Sequence, residues 1–222
     1  MFIQPWDAAT DATEWREWLA STDRFGTLVV NNLDPARAPL ALPAHFSLAD
    51  DGAELLMHLA RPNPVWPHLE AAAEVRLAVT GDYAYIPGYW RAKADVPETH
   101  GVPTSYYAAV QFVCRPTVID DPADKARILT AQMADLQPEG RHEDVTVDDG
   151  PYARLLPGIR GIRLEVLSLE AKFKYDDQKP LEHRERVSHQ LDERGQRLDA
   201  GAAAQQRLRL DTVGDWQTRR PS

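Results

Sequence analysis

The chain has 222 residues, 43% hydrophobic and 27% charged, with a formal net charge of −9 and a single cysteine. That length supports one sizeable core with a small appended element, while the acidic balance argues against a broad electrostatic grip on nucleic acid. No apolar run reaches the roughly eighteen residues of a transmembrane helix, the N-terminus lacks a signal-peptide pattern, and Cys114 has no partner for an internal disulfide. The expectation is a cytoplasmic protein with no membrane segment. Charge is uneven: Gln178 to Ser222 carries nine Lys/Arg against seven Asp/Glu, a balance of +2, which leaves −11 on the first 177 residues.

Ala12, Trp15, Trp18 and Leu19 recur at helical spacing, so residues 10–22 read as an amphipathic helix that Asp7 or Thr10 can cap. Strand-like runs follow at 25–31, 40–47 and 54–60, the last two joined by a turn at Ala49-Asp50-Asp51-Gly52. A short helix is expected over 66–73 and a buried strand over 74–80. Two longer strands come later. In the first, Tyr106, Ala108, Val110, Phe112 and Cys114 share a face. In the second, the apolar phase moves from Ile162, Leu164 and Val166 to Leu167, Leu169, Ala171, Phe173 and Tyr175, which predicts a bulge near Val166–Leu167. Between them Ala126, Leu129, Met133 and Leu136 stripe a helix starting after Asp121-Pro122, and a shorter helix is expected near 152–156. A polar helical segment follows, with Ala202-Ala203-Ala204 leading the last helix. The predicted class is α+β, a domain built round an antiparallel barrel with peripheral helices and a helical C-terminal extension. The expected boundaries are a barrel domain over 1–177, the extension over 178–212 and a disordered tail over 213–222.

Chemistry concentrates at one corner. Met57 to Ala60 ends a strand, Arg61-Pro62-Asn63-Pro64 turns the chain, and Trp66 opens a helix. Such a corner gathers backbone N–H groups, an amide and a guanidinium where a phosphate can sit. Elsewhere the chain has no Gly-x-Gly-x-x-Gly, no phosphate-loop Gly-Lys-Ser/Thr, no Gly-x-Ser-x-Gly and no Cys-x-x-Cys, and no metal site is expected. His183 and His189 read as a solvated helix face. The acidic pairs at 50–51, 120–121, 148–149 and 176–177 read as turn and capping residues.

His58-Leu59-Ala60-Arg61-Pro62-Asn63-Pro64-Val65-Trp66 resembles the His-x-Ala-Arg-x-Asn-Pro-x-Trp segment of the PaiB-like family of FMN-binding negative transcriptional regulators. Thr80-Gly81-Asp82-Tyr83-Ala84-Tyr85-Ile86-Pro87-Gly88-Tyr89-Trp90 is similar to that family's Gly-Pro-x-Ala-Tyr-Ile-x-Pro-x-Trp, and Val102-Pro103-Thr104-Ser105-Tyr106-Tyr107 to its Val-Pro-Thr-Trp-Asn-Tyr. Lys172-Phe173-Lys174-Tyr175 sits where the family ends its barrel, and the likeness runs in order over about residues 1–195. The resemblance implies a flavin-nucleotide-binding split barrel, a homodimer with FMN at the subunit interface, and a regulatory role. An FMN site needs cations or N–H groups for the phosphate, a flat slot for the ring and polar contacts for its edge. Arg61 with Asn63, at the turn made by Ala60, is the first choice for the phosphate and Lys174 the second. Tyr85, Trp90 and Trp66 would wall the ring, and Thr80 and His58 would contact ribityl or ring oxygens. Each has a structural rival: Trp66 as core, His58 as a hydrogen-bonded core histidine, Arg61 as a surface ion pair, Lys172 or Lys174 reaching solvent. The sequence departs from the pattern at Ala41, at Ser105 and at Asp176-Asp177, where two acids would repel any phosphate they faced.

Three functions follow. The first is a flavin-binding regulator, for which direct DNA binding is poorly supported because no basic recognition helix is visible. The second is a flavin-dependent oxidoreductase acting on a small molecule, with Tyr85, Tyr106 and Tyr107 as candidate proton donors and no identifiable base. The third is a flavin-free barrel acting as a scaffold or holding haem.

Overall fold

The computed structural model describes residues 1–93, 95–212 and 216–219. Its elements are β1 (Phe25–Val30), β2 (Leu40–His45), β3 (Ser47–Leu48), β4 (Glu54–Ala60), β5 (Val75–Thr80), β6 (Ala84–Ile86), β7 (Thr104–Ile119) and β8 (Ile159–Lys174). The helices are α1 (Glu14–Ala20), α2 (Trp66–Ala71), α3 (Pro122–Leu136), α4 (Gly150–Ala153), α5 (Leu181–Arg194) and α6 (Asp199–Leu208). The sheet runs in the order β2-β1-β5-β7-β8-β4-β3, with β6 joined to β7. The pairs β1/β2, β1/β5, β3/β4, β4/β8 and β6/β7 are all antiparallel. This is the α+β antiparallel class expected from the alternating apolar runs.

Two compact units divide the chain, and neither is contiguous: residues 1–17, 80–110 and 170–222 form the first, and 18–79 with 111–169 the second. The boundary expected at residue 177 therefore falls inside the first unit. In the second unit, β1 runs beside β2 from Phe25↔His45 to Val30↔Leu40, and β4 beside β8 from Glu54↔Glu165 to Ala60↔Ile159. The β3–β4 turn is closed by Gly52 N–H donating to the Ala49 carbonyl at 2.8 Å, and Gly52 supplies the positive φ of 73° that this turn requires. Helix α3 begins where Asp121-Pro122 placed it, the Asp121 carboxylate accepting from the Asp124 N–H at 2.9 Å. Its buried Ala126 and Ile128 join Leu28, Leu55, Met57, Leu77, Ile162 and Leu164 in an apolar core.

In the first unit, Ala84 and Ile86 of β6 pack inward with Tyr106, Ala108, Ala171, Phe173 and Tyr175, and α5 and α6 add Val187, Leu191, Ala202 and Ala203. The expected phase change in β8 is visible as burial: Ile162 and Leu164 are buried, Leu167 is exposed, and Ala171 and Phe173 are buried. Of the expected tail, residues 213–215 and 220–222 lie outside the described residues. Trp216–Thr218 form a 3-10 turn, Trp216 stands edge-on to Trp6, and Arg219 is buried.

Candidate functional site

The corner after β4 is held by its own polar groups. The Asn63 side-chain oxygen accepts the Val65 N–H at 3.0 Å, and the Asn63 N–H donates to the Ala60 carbonyl at 3.0 Å. That carbonyl also accepts the Trp66 indole N–H at 3.2 Å, so Ala60 contributes its backbone and its side chain stays exposed. Trp66 is buried, and the Arg160 guanidinium lies 4.9 Å from its ring centroid. This indole therefore belongs to the core, braced by a cation.

Arg61 is exposed but not loose. Its Nε donates to the Pro157 carbonyl at 2.8 Å and its Nη2 to Asp120 at 3.0 Å. Asp120 is shared: Arg160 donates to both its oxygens, at 2.9 and 2.6 Å, and reaches Glu70 at 2.8 Å. Arg160 first, and then Arg61, hold the Asp120 carboxyl below its ordinary range. Lys125 stands close behind, buried, with its ammonium donating to the Leu156 carbonyl at 2.6 Å. Burial lowers its pKa, and the nearby charge of Arg61 lowers it further. Three cations thus gather at this turn, and Nη1 of Arg61 has no hydrogen bond among the described residues. Arg160 is engaged by Asp120 and Glu70, and Lys125 by the Leu156 and Ile159 carbonyls. These two supply positive charge, while Nη1 of Arg61 is the donor that suits an anion such as a phosphate monoester. On the neighbouring strand, His58 is half-buried with Nδ1 2.6 Å from the side-chain oxygen of Gln132.

The remaining predicted residues lie in the first unit. Thr80 is exposed at the end of β5, and Tyr85 is exposed on β6. Trp90 is buried with its face covered by Arg194, 4.8 Å from the ring centroid; Arg194 also donates to the Tyr85 carbonyl at 2.8 Å and is held by both oxygens of Asp199. Lys174 lies 5.9 Å from the Tyr107 ring centroid, as does Lys172. Lys172 is engaged by the Phe2 carbonyl at 2.8 Å and by Asp7 at 3.6 Å, whereas Lys174 has no ion pair among the described residues.

Asp176 and Asp177 stand at a turn, as the sequence reading has it, the Asp176 carbonyl accepting the Lys179 N–H at 2.8 Å, but their carboxylates are not free to repel a phosphate. Both are instead neutralised by arginines of their own unit. Asp176 accepts from Arg91 at 3.0 and 3.1 Å and from the Tyr106 hydroxyl at 3.2 Å. Burial opposes its ionisation, but His183 and Arg91 outweigh it and draw its pKa down to about 2. Asp177 is 0% exposed and receives Arg184 at 3.1 Å, Arg209 at 2.7 Å and Arg219. His183 is likewise not on a solvated face: its Nε2 lies 3.6 Å from Asp176, while His189 is exposed beside Glu193. Sequence reasoning missed Asp120, Lys125, Gln132, Arg160 and this arginine cluster. Asp120 left a trace, as one of the acidic pair read as turn and capping residues, whereas Arg160 is placed opposite Leu59 only by the β4–β8 register.

Residues 1–168 match the family described as "Putative FMN-binding domain". No curated relative matches the sequence. Among solved structures, the chain resembles the flavocytochrome Anf3 from Azotobacter vinelandii, at 17% identity and a TM-score of 0.56 over 76% of this chain and 70% of that one. It also resembles the FAD and heme binding protein from Mycobacterium smegmatis, at 16% identity and a TM-score of 0.56 over 74% and 72%. At these identities the likeness is one of fold, an α+β chain on an antiparallel split-barrel sheet. Among the described residues no helix is long and apolar enough to cross a membrane.

Proposed function

The chain belongs to this FMN-binding family, and from that premise we propose that it is a flavin-binding regulatory protein that holds FMN at the His58–Trp66 corner, in a homodimer. The observation that carries the reading is Arg61: it is exposed, fixed through Nε and Nη2, and still has a guanidinium nitrogen to offer beside Arg160 and Lys125. Asn63 shapes the turn that presents it. Bound FMN supplies reversible electron transfer; these side chains hold and neutralise it. The first unit holds a separate set of candidates: Lys174 as the alternative for the phosphate, with Thr80, Tyr85 and Trp90 for the ring and its ribityl chain. The −9 charge supports regulation through a protein partner or a metabolite signal rather than a direct grip on DNA.

The test separates phosphate recognition from ring recognition. FMN and riboflavin are titrated against the chain and against Arg61→Gln by flavin fluorescence. Loss of one charge-assisted contact is expected to weaken FMN by about 10- to 100-fold, with riboflavin unchanged. Equal loss for both ligands, or none for either, refutes the assignment of Arg61 to the phosphate.

One observation favours a second reading, an oxidoreductase acting on a small molecule. Tyr107 is half-buried with the ammonium groups of Lys172 and Lys174 each 5.9 Å from its ring centroid, two cations against one phenol ring. Tyr106 is removed as a proton donor: it is buried, already donates to Asp176, and burial pushes its pKa well up. Bleaching of bound flavin by NADH or NADPH, slowed in Tyr107→Phe, is the expected signature of this reading. An unchanged absorbance with either donor retires it.

A further inference from the structure

Gln132 lies on α3, is 4% exposed, and spends its amide on two neighbours. Its nitrogen donates to the His45 backbone carbonyl at 3.2 Å, and its oxygen lies 2.6 Å from Nδ1 of His58. The His45 carbonyl can only accept, so the amide NH₂ must face it. The amide oxygen can also only accept, so the atom facing it must carry a proton. We infer that Gln132 locks neutral His58 as its Nδ1–H tautomer, so that Nε2 presents a lone pair and His58 accepts a hydrogen bond from an O–H or N–H group of the bound ligand. The inference rests on the proposed flavin site, and it narrows that site's chemistry. A histidine locked this way serves a ribityl hydroxyl or the N–H of the flavin's pyrimidine edge. In this neutral form it accepts through Nε2 rather than donating to a ring carbonyl or to the phosphate. Gln132 is a positioning residue: it acts through His58.

The direct readout is the long-range ¹H–¹⁵N spectrum of the uniformly ¹⁵N-labelled full chain, recorded without flavin at alkaline pH, with His58 assigned by its absence in His58→Asn. The expected spectrum has a protonated Nδ1 and an unprotonated Nε2. In Gln132→Met, which keeps the volume but removes both hydrogen bonds, His58 is expected to move toward the Nε2–H tautomer. The same variant is expected to weaken FMN and riboflavin alike, by about fivefold for one neutral hydrogen bond, unlike the FMN-selective loss in Arg61→Gln. An Nε2–H signal for His58 in the unmodified chain overturns the inference, and that measurement stands even if Gln132→Met does not fold. Adding FMN distinguishes the two layers: a shift at His58 Nε2 supports the whole inference, while the expected tautomer with no shift refutes the flavin contact and leaves the lock in place.

Discussion

Replacing Asp177 by asparagine keeps the shape of the side chain and removes one negative charge from a fully buried position. In the folded chain that carboxylate meets Arg184 at 3.1 Å, Arg209 at 2.7 and 3.2 Å, and Arg219. Glu14 and the Ala8 carbonyl also engage Arg209, and the Arg209 carbonyl takes one N–H of Arg184. Each contact is worth about 4 kcal/mol of gross attraction at an effective dielectric near 20. Desolvation and the mutual repulsion of three guanidiniums cancel most of it. What survives in the mutant is the cost of stranded buried charge, about 3–5 kcal/mol. For a chain of this size that corresponds to a fall in Tm of about 6–20 °C, read by calorimetry or by a urea midpoint with unchanged slope. Pairing Asp177→Asn with Arg209→Met makes a double-mutant cycle, and a coupling of about 2 kcal/mol or more is expected. A Tm within 2–3 °C of the unmodified protein, together with an additive cycle, refutes the view that this carboxylate is the hub of the first unit.

Asp7 gives a prediction of opposite sign. Its carboxyl is buried 3.6 Å from the Lys172 ammonium, yet desolvation outweighs that partner and Lys174 and raises its pKa to about 6. A pKa raised on folding stabilises fully below the ordinary carboxylate range and is lost as pH rises through 6. Asp7→Asn is therefore expected to match the unmodified protein near ~pH 3–4 and to exceed it at about pH 8, by up to about 3 kcal/mol. Equal destabilisation at both values shows that Lys172 needs the carboxylate more than the chain needs to avoid burying it. Cys114 is fully buried and its thiol is pushed up to about 12. It is expected to resist a thiol-specific reagent in the folded chain and to react stoichiometrically after denaturation; rapid labelling of the native protein contradicts this packing.

The strands and α3 were legible because their signals are local. Alternation at Tyr106, Ala108, Val110, Phe112 and Cys114 places those side chains inside whatever sheet forms, and all five are buried. Asp121-Pro122 fixed the start of α3, since a capping carboxylate and a proline at the first turn act within a few residues. The two flanking strands ran longer than the alternation showed, because the ends of β7 and β8 are held by pairing rather than by an apolar stripe. The corner was also visible, and its tryptophan packs inward, where the indole hydrogen bond to the Ala60 carbonyl closes the turn. His183 was misread because its neighbours in sequence are charged, whereas its neighbour in space is Asp176.

By itself, then, the sequence determined where the chain pairs, coils and turns, the acidic character of the molecule, and the corner that presents Arg61. Those properties depend on side-chain period, backbone restriction and formal charge, which are carried by consecutive residues. Only the tertiary structure decided how the charges were matched. It set Arg160 beside Arg61 on Asp120, Gln132 between His45 and His58, and Arg184, Arg209 and Arg219 on Asp177. Coulombic and hydrogen-bond energies are set by distance in space and by exclusion of water, and neither quantity is encoded in the spacing of residues along the chain.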